Sequence, residues 1–227
     1  VSSMGAFVVI GAGPGLGAAA ARRFGREGHP VGLIARSAER LQTMAADLKS
    51  EGLTTAVEAA DVTDEQALAA ALGALRERLG PIEVVLFSPR PSLAWIKPVL
   101  DTGPPDIESA LALSVVAAAA AVRTVVPDMR RRRHGTLLFT TGGAAVEPHR
   151  DRAVSGIAYA AESAYVRLLH EALADDGVHA AQLTVVGPIG PGAGHEPDGV
   201  AQELWQLHTT RAQPLLILRR PCSLAES

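Results

Sequence analysis

Gly11, Gly13, Gly15 and Gly17 follow the apolar run Phe7-Val8-Val9-Ile10 and precede an alanine-rich stretch that reaches Phe24. Glycine lets a chain turn tightly and lets its backbone approach another group closely. A helix that opens at such a turn presents unpaired N–H groups and the positive end of its dipole, which together favour a phosphate. The chemistry expected of Gly11 to Gly17 is therefore the holding of a pyrophosphate. The spacing is Gly11-x-x-x-Gly15-x-Gly17, with Leu16 where the third glycine of the G-x-G-x-x-G pattern would fall. A turn that uses glycine only for packing is the alternative reading.

A second polar position belongs with the first. Pro30 to Ala35 reads as a buried strand that ends at Arg36-Ser37, ahead of a helix beginning near Glu39. In a dinucleotide fold the end of this strand meets the adenosine ribose, through an acid for a free 2′-hydroxyl or an arginine for a 2′-phosphate. The acid position falls on Ala35 and is followed by Arg36, so NADP(H) is favoured, with NAD(H) as the alternative. An exposed charge at a helix start is the plainer explanation of Arg36. No H-E-x-x-H, paired-cysteine or G-x-S-x-G pattern occurs, so neither a metal site nor a nucleophile elbow is expected.

The elements that must position these residues alternate. Strands are expected at 6–10, 31–35, 54–58, 83–87, 135–140, 179–185 and 215–218, with helices at 15–28, 38–51, 64–79, 106–126, 156–175 and 200–211. Strand and helix in turn imply an α/β protein with a doubly wound parallel sheet between two helical layers. The 227 residues suit a single domain over 1–227, with a leader at 1–5 and a tail at 219–227. A net charge of −3 argues against nucleic acid as a partner. The lone Cys222 excludes an intrachain disulfide and suits a reducing, cytoplasmic setting. The longest apolar run, Val115 to Val122, is too short to cross a bilayer and reads as core helix, so no membrane partner is expected. Arg130 to Arg133 reads as the basic end of that helix.

From about residue 5 to 218 this pattern resembles the short-chain dehydrogenase/reductase family, with a Rossmann-type fold and a nicotinamide cofactor. The resemblance implies that Gly11, Gly13, Gly15, Leu16 and Gly17 surround the pyrophosphate. It gives Asp61-Val62, before the acidic helix start at Thr63-Asp64-Glu65, the adenine edge; read alone, Asp61 could be a helix cap. Where the family writes N-N-A-G, this chain has Phe87-Ser88-Pro89-Arg90, and Ser88 is the cofactor-side position. Gly187-Pro188-Ile189 resembles the turn beside the nicotinamide, with Pro188 and Ile189 in contact and a Gly/Pro-rich lid running to Gly199.

The family's catalytic set is Asn, Ser, Tyr and Lys, with Tyr and Lys one helical turn apart. On that alignment Tyr159 keeps its place, Ser163 stands where lysine belongs, Thr141 takes the serine position and Ser114 the asparagine position. A tyrosine without its lysine is a poor base but a serviceable acid, because an unperturbed phenol titrates near ~10. Reduction of a carbonyl therefore survives the change better than oxidation does, with Thr141 as a second donor. Glu162 is expected in solvent, because consecutive helix positions turn it about 100° from Ser163, with a carboxylate for proton transfer as the alternative. His149, in the polar insert Glu147 to Arg152, is either a replacement acid or base at the pocket rim or a surface residue. Tyr165, His170 and His208 read as packing or surface positions, and Trp205 and Leu207 as an apolar pocket wall.

Three functions fit: an NADP(H)-dependent reductase of a ketone or similar apolar carbonyl; an enzyme doing isomerisation, dehydration or ring closure on the same fold; and a nucleotide-binding or partner protein without catalysis. The resemblance also implies a homodimer or homotetramer, and the alanines from Ala117 to Ala121 would let helices of two subunits approach closely.

Overall fold

The computed structural model describes residues 4–219. Val1 to Ser3 of the expected leader and the tail from residue 220, with Cys222, lie outside the described residues. Seven strands form one parallel sheet in the order β3-β2-β1-β4-β5-β6-β7. They are β1 (Ala6–Ile10), β2 (Val31–Ala35), β3 (Thr55–Ala59), β4 (Ile82–Phe87), β5 (Gly135–Gly142), β6 (Val178–Val186) and β7 (Leu215–Arg219). The helices are α1 (Leu16–Arg26), α2 (Ala38–Ser50), α3 (Glu65–Leu79), α4 (Pro104–Leu111), α5 (Ala117–Arg132), α6 (Ala153–Leu173) and α7 (Pro197–Thr210). The doubly wound, three-layer Rossmann-type α/β fold expected from the alternating pattern is the fold observed.

Each layer follows from local chemistry. All five residues of β1 are buried, as a central strand covered on both faces requires. Ser37 and Asp64 cap α2 and α3 by accepting from the backbone N–H groups of Arg40 and Ala67. On one face of the sheet Val8, Phe87, Leu137 and Phe139 pack with α3, α5 and α6; on the other Phe7, Val9, Leu86 and Leu138 pack with α1, α2 and α7. Phe7 and Phe24 stack with ring centroids 4.0 Å apart. Each such fully buried aromatic contributes about 1.5–3 kcal/mol.

The long central helix departs from expectation. It begins at Pro104, passes through a wide π turn at Ala112–Val116 and runs on to Arg132 instead of stopping at Val126. Pro127 does not end it because this residue lies on the exposed side, where water can satisfy the freed carbonyl. Residues Pro104–Arg132 are long and apolar enough, by length and composition, to cross a bilayer, although the expected apolar run was shorter. Here the buried side of that helix supplies core. Ala117, Ala118, Ala120 and Ala121 are all buried against this chain's own interior. Those four alanines therefore pack within the chain, while Val116 on the same helix is exposed.

Candidate active site at the strand carboxyl ends

The glycine loop divides its work among four residues. Gly11 has φ +86°, and a Cβ there would sit 2.4 Å from Pro89 Cα, so it is the close backbone approach between the ends of β1 and β4. Gly17 is buried, and its Cβ would press on Ala12 at 3.3 Å, so it sets the packing of α1 on the loop. A Cβ on Gly13 or Gly15 would meet nothing within 4 Å. Those two face the open cradle. No acidic side chain stands in the first turn of α1, and Gly15 offers no side-chain cap. Among the described residues the amides of Gly15, Leu16 and Gly17 find no acceptor, while those of Ala18 and Ala19 turn back to Gly13 and Gly15. Open space, free amides and an uncompensated helix dipole fit a pyrophosphate. Leu16 is half-buried and packs against the core beside Ala12.

Arg36 follows β2 on the same edge, exposed and without an ion pair among the described residues. Asp61, after β3, is engaged locally: its Oδ1 accepts from the Thr63 N–H at 3.0 Å and the Thr63 hydroxyl at 2.7 Å. Those two bonds, with a smaller contribution from Arg36, hold its carboxyl below the usual range. The cap of α3 is Asp64 rather than Asp61, and Val62 is buried in the core beneath. Ser88 is tied to the sheet, its amide donating to the Ile10 carbonyl at 2.9 Å and its hydroxyl receiving that of Thr140 at 2.6 Å.

The tyrosine helix differs most from expectation. Tyr159 is half-buried and its hydroxyl has no hydrogen bond within the described residues; burial, with the charge of Glu162, pushes the phenol up to about 12. Ser163, at the lysine position, points inward. Its hydroxyl donates to the Tyr159 carbonyl at 2.8 Å and accepts from Gln182 Nε2 at 2.9 Å. The same Gln182 amide reaches Thr141 Oγ1 at 2.6 Å and Thr184 Oγ1 at 3.2 Å, and the two threonine hydroxyls lie 3.0 Å apart. Thr141 is 5% exposed. Its hydroxyl belongs to this buried network, which corrects its expected role as a second donor beside Tyr159. The residue facing the tyrosine ring is Gly142, where a Cβ would lie 3.5 Å from Tyr159 Cε2.

Glu162 corrects a second expectation. It is 2% exposed, its Oε1 has no hydrogen-bond partner, and burial raises its carboxyl well above the usual range. Val154, Ala158, Glu162 and Val166 recur every four residues and form the inward stripe of α6, which the sequence reading placed in solvent at Glu162. Ala110 packs with Val154 and Ala158, and Ala118 shares the main core with Val166. Glu162 and the buried Ser114 of the π turn fall between those two contacts, each on its own helix.

The remaining candidates scatter. Pro188 and Ile189 are exposed after β6, and the loop behind them is closed rather than loose. His195 donates to the Val186 carbonyl at 3.0 Å, and the amides of Gly190 and His195 pair with His195 and Pro188 carbonyls at 3.0 and 3.3 Å. His149 caps the short turn at Arg150–Arg152 and stays exposed. Glu147 of the insert pairs with Arg219 of β7. Trp205 and Leu207 form no pocket wall: Trp205 packs edge-on to Phe24 at 5.0 Å beneath Arg23, and Leu207 is buried between α7 and the sheet. Tyr165 packs against the core, and His170 bonds the Ala180 carbonyl at 3.1 Å.

Comparison with known proteins agrees with this architecture. Gluconate 5-dehydrogenase of Gluconobacter oxydans is 33% identical over 79 residues, which are 35% of this chain and 31% of that protein. Serine 3-dehydrogenase of Agrobacterium fabrum is 40% identical over 82 residues, 36% of this chain and 32% of the relative. The glycine betaine reductase ATRR of Emericella nidulans, 35% identical over 79 residues and 35% of this chain, is matched over only 6% of its length. The chain thus matches at most about a third of these relatives. Among solved structures, L-sorbose reductase from Gluconobacter frateurii, complexed with NADPH and L-sorbose, superposes with a TM-score of 0.86 at 20% identity over 95% of each chain. A short chain oxidoreductase from Pseudomonas aeruginosa PAO1, described as containing an atypical catalytic center, gives 0.88 at 17% identity over 99% of each. These two share the fold. The short chain dehydrogenase family profile matches residues 6–193, and the chain belongs to that family.

Proposed function

We propose that this protein is an NADP(H)-dependent oxidoreductase that reduces a small carbonyl substrate, with Tyr159 as the proton donor. One observation carries the reading: the Tyr159 ring lies beside Gly142 at the carboxyl end of β5, and its phenol, pushed up to about 12, has no hydrogen bond among the described residues. Such a group is protonated throughout the neutral range, so it gives a proton and does not take one. NADPH- and NADP-bound neighbours of the same fold support the choice of cofactor.

When bound, the nicotinamide supplies hydride. The amides of Gly15, Leu16 and Gly17 would hold its pyrophosphate, and the guanidinium of Arg36 the 2′-phosphate. Pro188 and Ile189, exposed after β6, would border the nicotinamide. Tyr159 gives its proton to the substrate oxygen as negative charge develops there. Glu162 lies one turn along the same helix, and burial raises its carboxyl well above the usual range, so it holds a proton more tightly than a solvated carboxylate does. Ser163, Thr141 and Gln182 do not touch the reacting atoms; they hold α6 against β5 and β6 and so fix the tyrosine. Ser114 lies in the π turn that α6 packs against.

A second reading draws on Glu162. Two acidic groups one helical turn apart, both shifted up by burial, also suit a dehydration or isomerisation that needs an acid and no redox change. Titration of NADPH and NADH by fluorescence, followed by a ketone panel read at the reduced-nicotinamide absorbance, separates the two. Tight NADPH binding with substrate-dependent loss of absorbance is expected, and Tyr159→Phe is expected to lower that turnover by about 10²–10⁴-fold while nucleotide affinity stays unchanged. Product formed without any absorbance change would favour the non-redox reading. Full turnover in Tyr159→Phe would overturn the role given to this residue.

A further inference from the structure

At the opposite, amino-terminal end of the sheet, three side chains remote in sequence converge. His29 precedes β2, Glu83 is the second residue of β4 and His208 is in the last turn of α7. One imidazole nitrogen from each histidine and a carboxylate oxygen of Glu83 lie within 4.8 Å of one another.

Their outer hydrogen bonds orient them. His29 Nδ1 lies 2.7 Å from the Gly5 carbonyl, which can only accept, so Nδ1 carries the proton and Nε2 carries the lone pair. That Nε2 is buried without a partner, on a residue 2% exposed. His208 Nδ1 lies 2.9 Å from the Thr136 hydroxyl, which leaves its Nε2 for the cluster. Glu83 is held by the Gly5 amide at 2.8 Å through Oε2 and by His134 Nε2 at 3.0 Å through Oε1. A histidine whose far nitrogen is tied to a carbonyl or hydroxyl, with its near nitrogen unsatisfied, is the arrangement found in metal ligands. Phe24 and Trp205 pack around the two rings, so the site has an apolar wall on one side. On the other, His134 is half exposed beside Glu83 and marks the side open to solvent. The Arg211 guanidinium, the nearby cation, is turned away onto the Gly135 and Gly177 carbonyls.

We propose that His29, Glu83 and His208 form a two-histidine, one-carboxylate site for a divalent cation of the zinc class, with water completing the coordination. Nitrogen and carboxylate donors in this number suit Zn²⁺, which binds them at about 2.0–2.2 Å. The three donor atoms, now within 4.8 Å of one another, would have to draw closer to share that sphere. The ion would join the start of β2, the start of β4 and the end of α7, so its effect is on stability and is separable from events at the nucleotide cleft.

The protein, treated with chelator and then titrated with Co²⁺ and Zn²⁺ alone, tests this. Expected are one ion per chain, a visible Co²⁺ band that Zn²⁺ abolishes, and a melting temperature about 5–10 °C higher at a hundredfold excess over Kd. His208→Gln should abolish the band. Thr136→Val, which removes only the outer bond, should weaken affinity about 10–100-fold while circular dichroism and NADPH binding stay unchanged. No stoichiometric binding, or binding equal in His208→Gln and the parent, would overturn the proposal.

Discussion

Gln182 Nε2 donates to Ser163 Oγ across 2.9 Å, joining the centre of β6 to the tyrosine helix where the family places a lysine. The serine is thus a structural tie, and the loss of lysine comes with a rebuilt network of Gln182, Thr141 and Thr184 rather than a vacancy.

Replacing Gln182 with leucine should therefore destabilise the protein by about 1–3 kcal/mol, because buried hydroxyls lose a donor without solvent to replace it. On a chain of this size that is a fall of about 2–4 °C in melting temperature for each kcal/mol. Turnover should fall as well while NADPH affinity holds, since the tyrosine loses its support and the glycine loop does not. A variant that melts with the parent would show that the network contributes nothing to stability.

Gly11→Ala and Gly13→Ala should separate folding from binding. A methyl at Gly11 meets Pro89 Cα at 2.4 Å on a backbone of φ +86°, so expression and melting temperature should drop, with a cost above about 1 kcal/mol. A methyl at Gly13 meets nothing within 4 Å, so the fold should be indifferent. If the cradle holds a pyrophosphate, the same methyl intrudes on it and nucleotide affinity falls. Unchanged affinity in Gly13→Ala would place the nucleotide elsewhere.

Arg36→Ala should discriminate between the two nicotinamide nucleotides. Removing a charge-assisted contact of about 1.5–3 kcal/mol weakens NADPH roughly 10–150-fold and leaves NADH almost untouched. A parallel loss for both nucleotides would mean that Arg36 supports the loop and does not read the 2′-phosphate.

These residues also show how far the sequence could be read. Gly11 to Gly17, Arg36 and Ser88 come together at the carboxyl ends of β1, β2 and β4 because a strand, a turn and a helix in succession leave one geometry, and a parallel sheet gathers its strand ends on one edge. Thr141 was misassigned by one position. A slip of one residue at a strand end sends the side chain to the other face, and only the register of β5 on β6 shows that Thr141 meets Thr184 while Gly142 meets the tyrosine. Glu162 was misread because a carboxylate is usually solvated; the four-residue stripe with Ala158 and Val166 was the signal that would have found it. His29, Glu83 and His208 carry no spacing motif, since their approach is a product of topology.

Glu162 gives the pH dependence its sign. Its folded-state pKa is raised by burial above the ordinary carboxylate value of 4.5, so the folded protein holds this proton more tightly than the unfolded chain does. The stability associated with the neutral carboxyl is fully present below about 4.5, and it is lost progressively as pH rises through the folded-state value. Glu162→Gln keeps the shape and removes the titration. Its melting temperature should match the parent below about pH 4.5 and exceed it increasingly as pH rises from there through the folded-state value. Infrared spectra should show a carboxylic acid band that persists above pH 4.5 in the parent and is absent from Glu162→Gln. If the two proteins melt in parallel at every pH, the carboxylate is solvated or paired in the folded protein, and the tightly held proton beside Tyr159 does not exist.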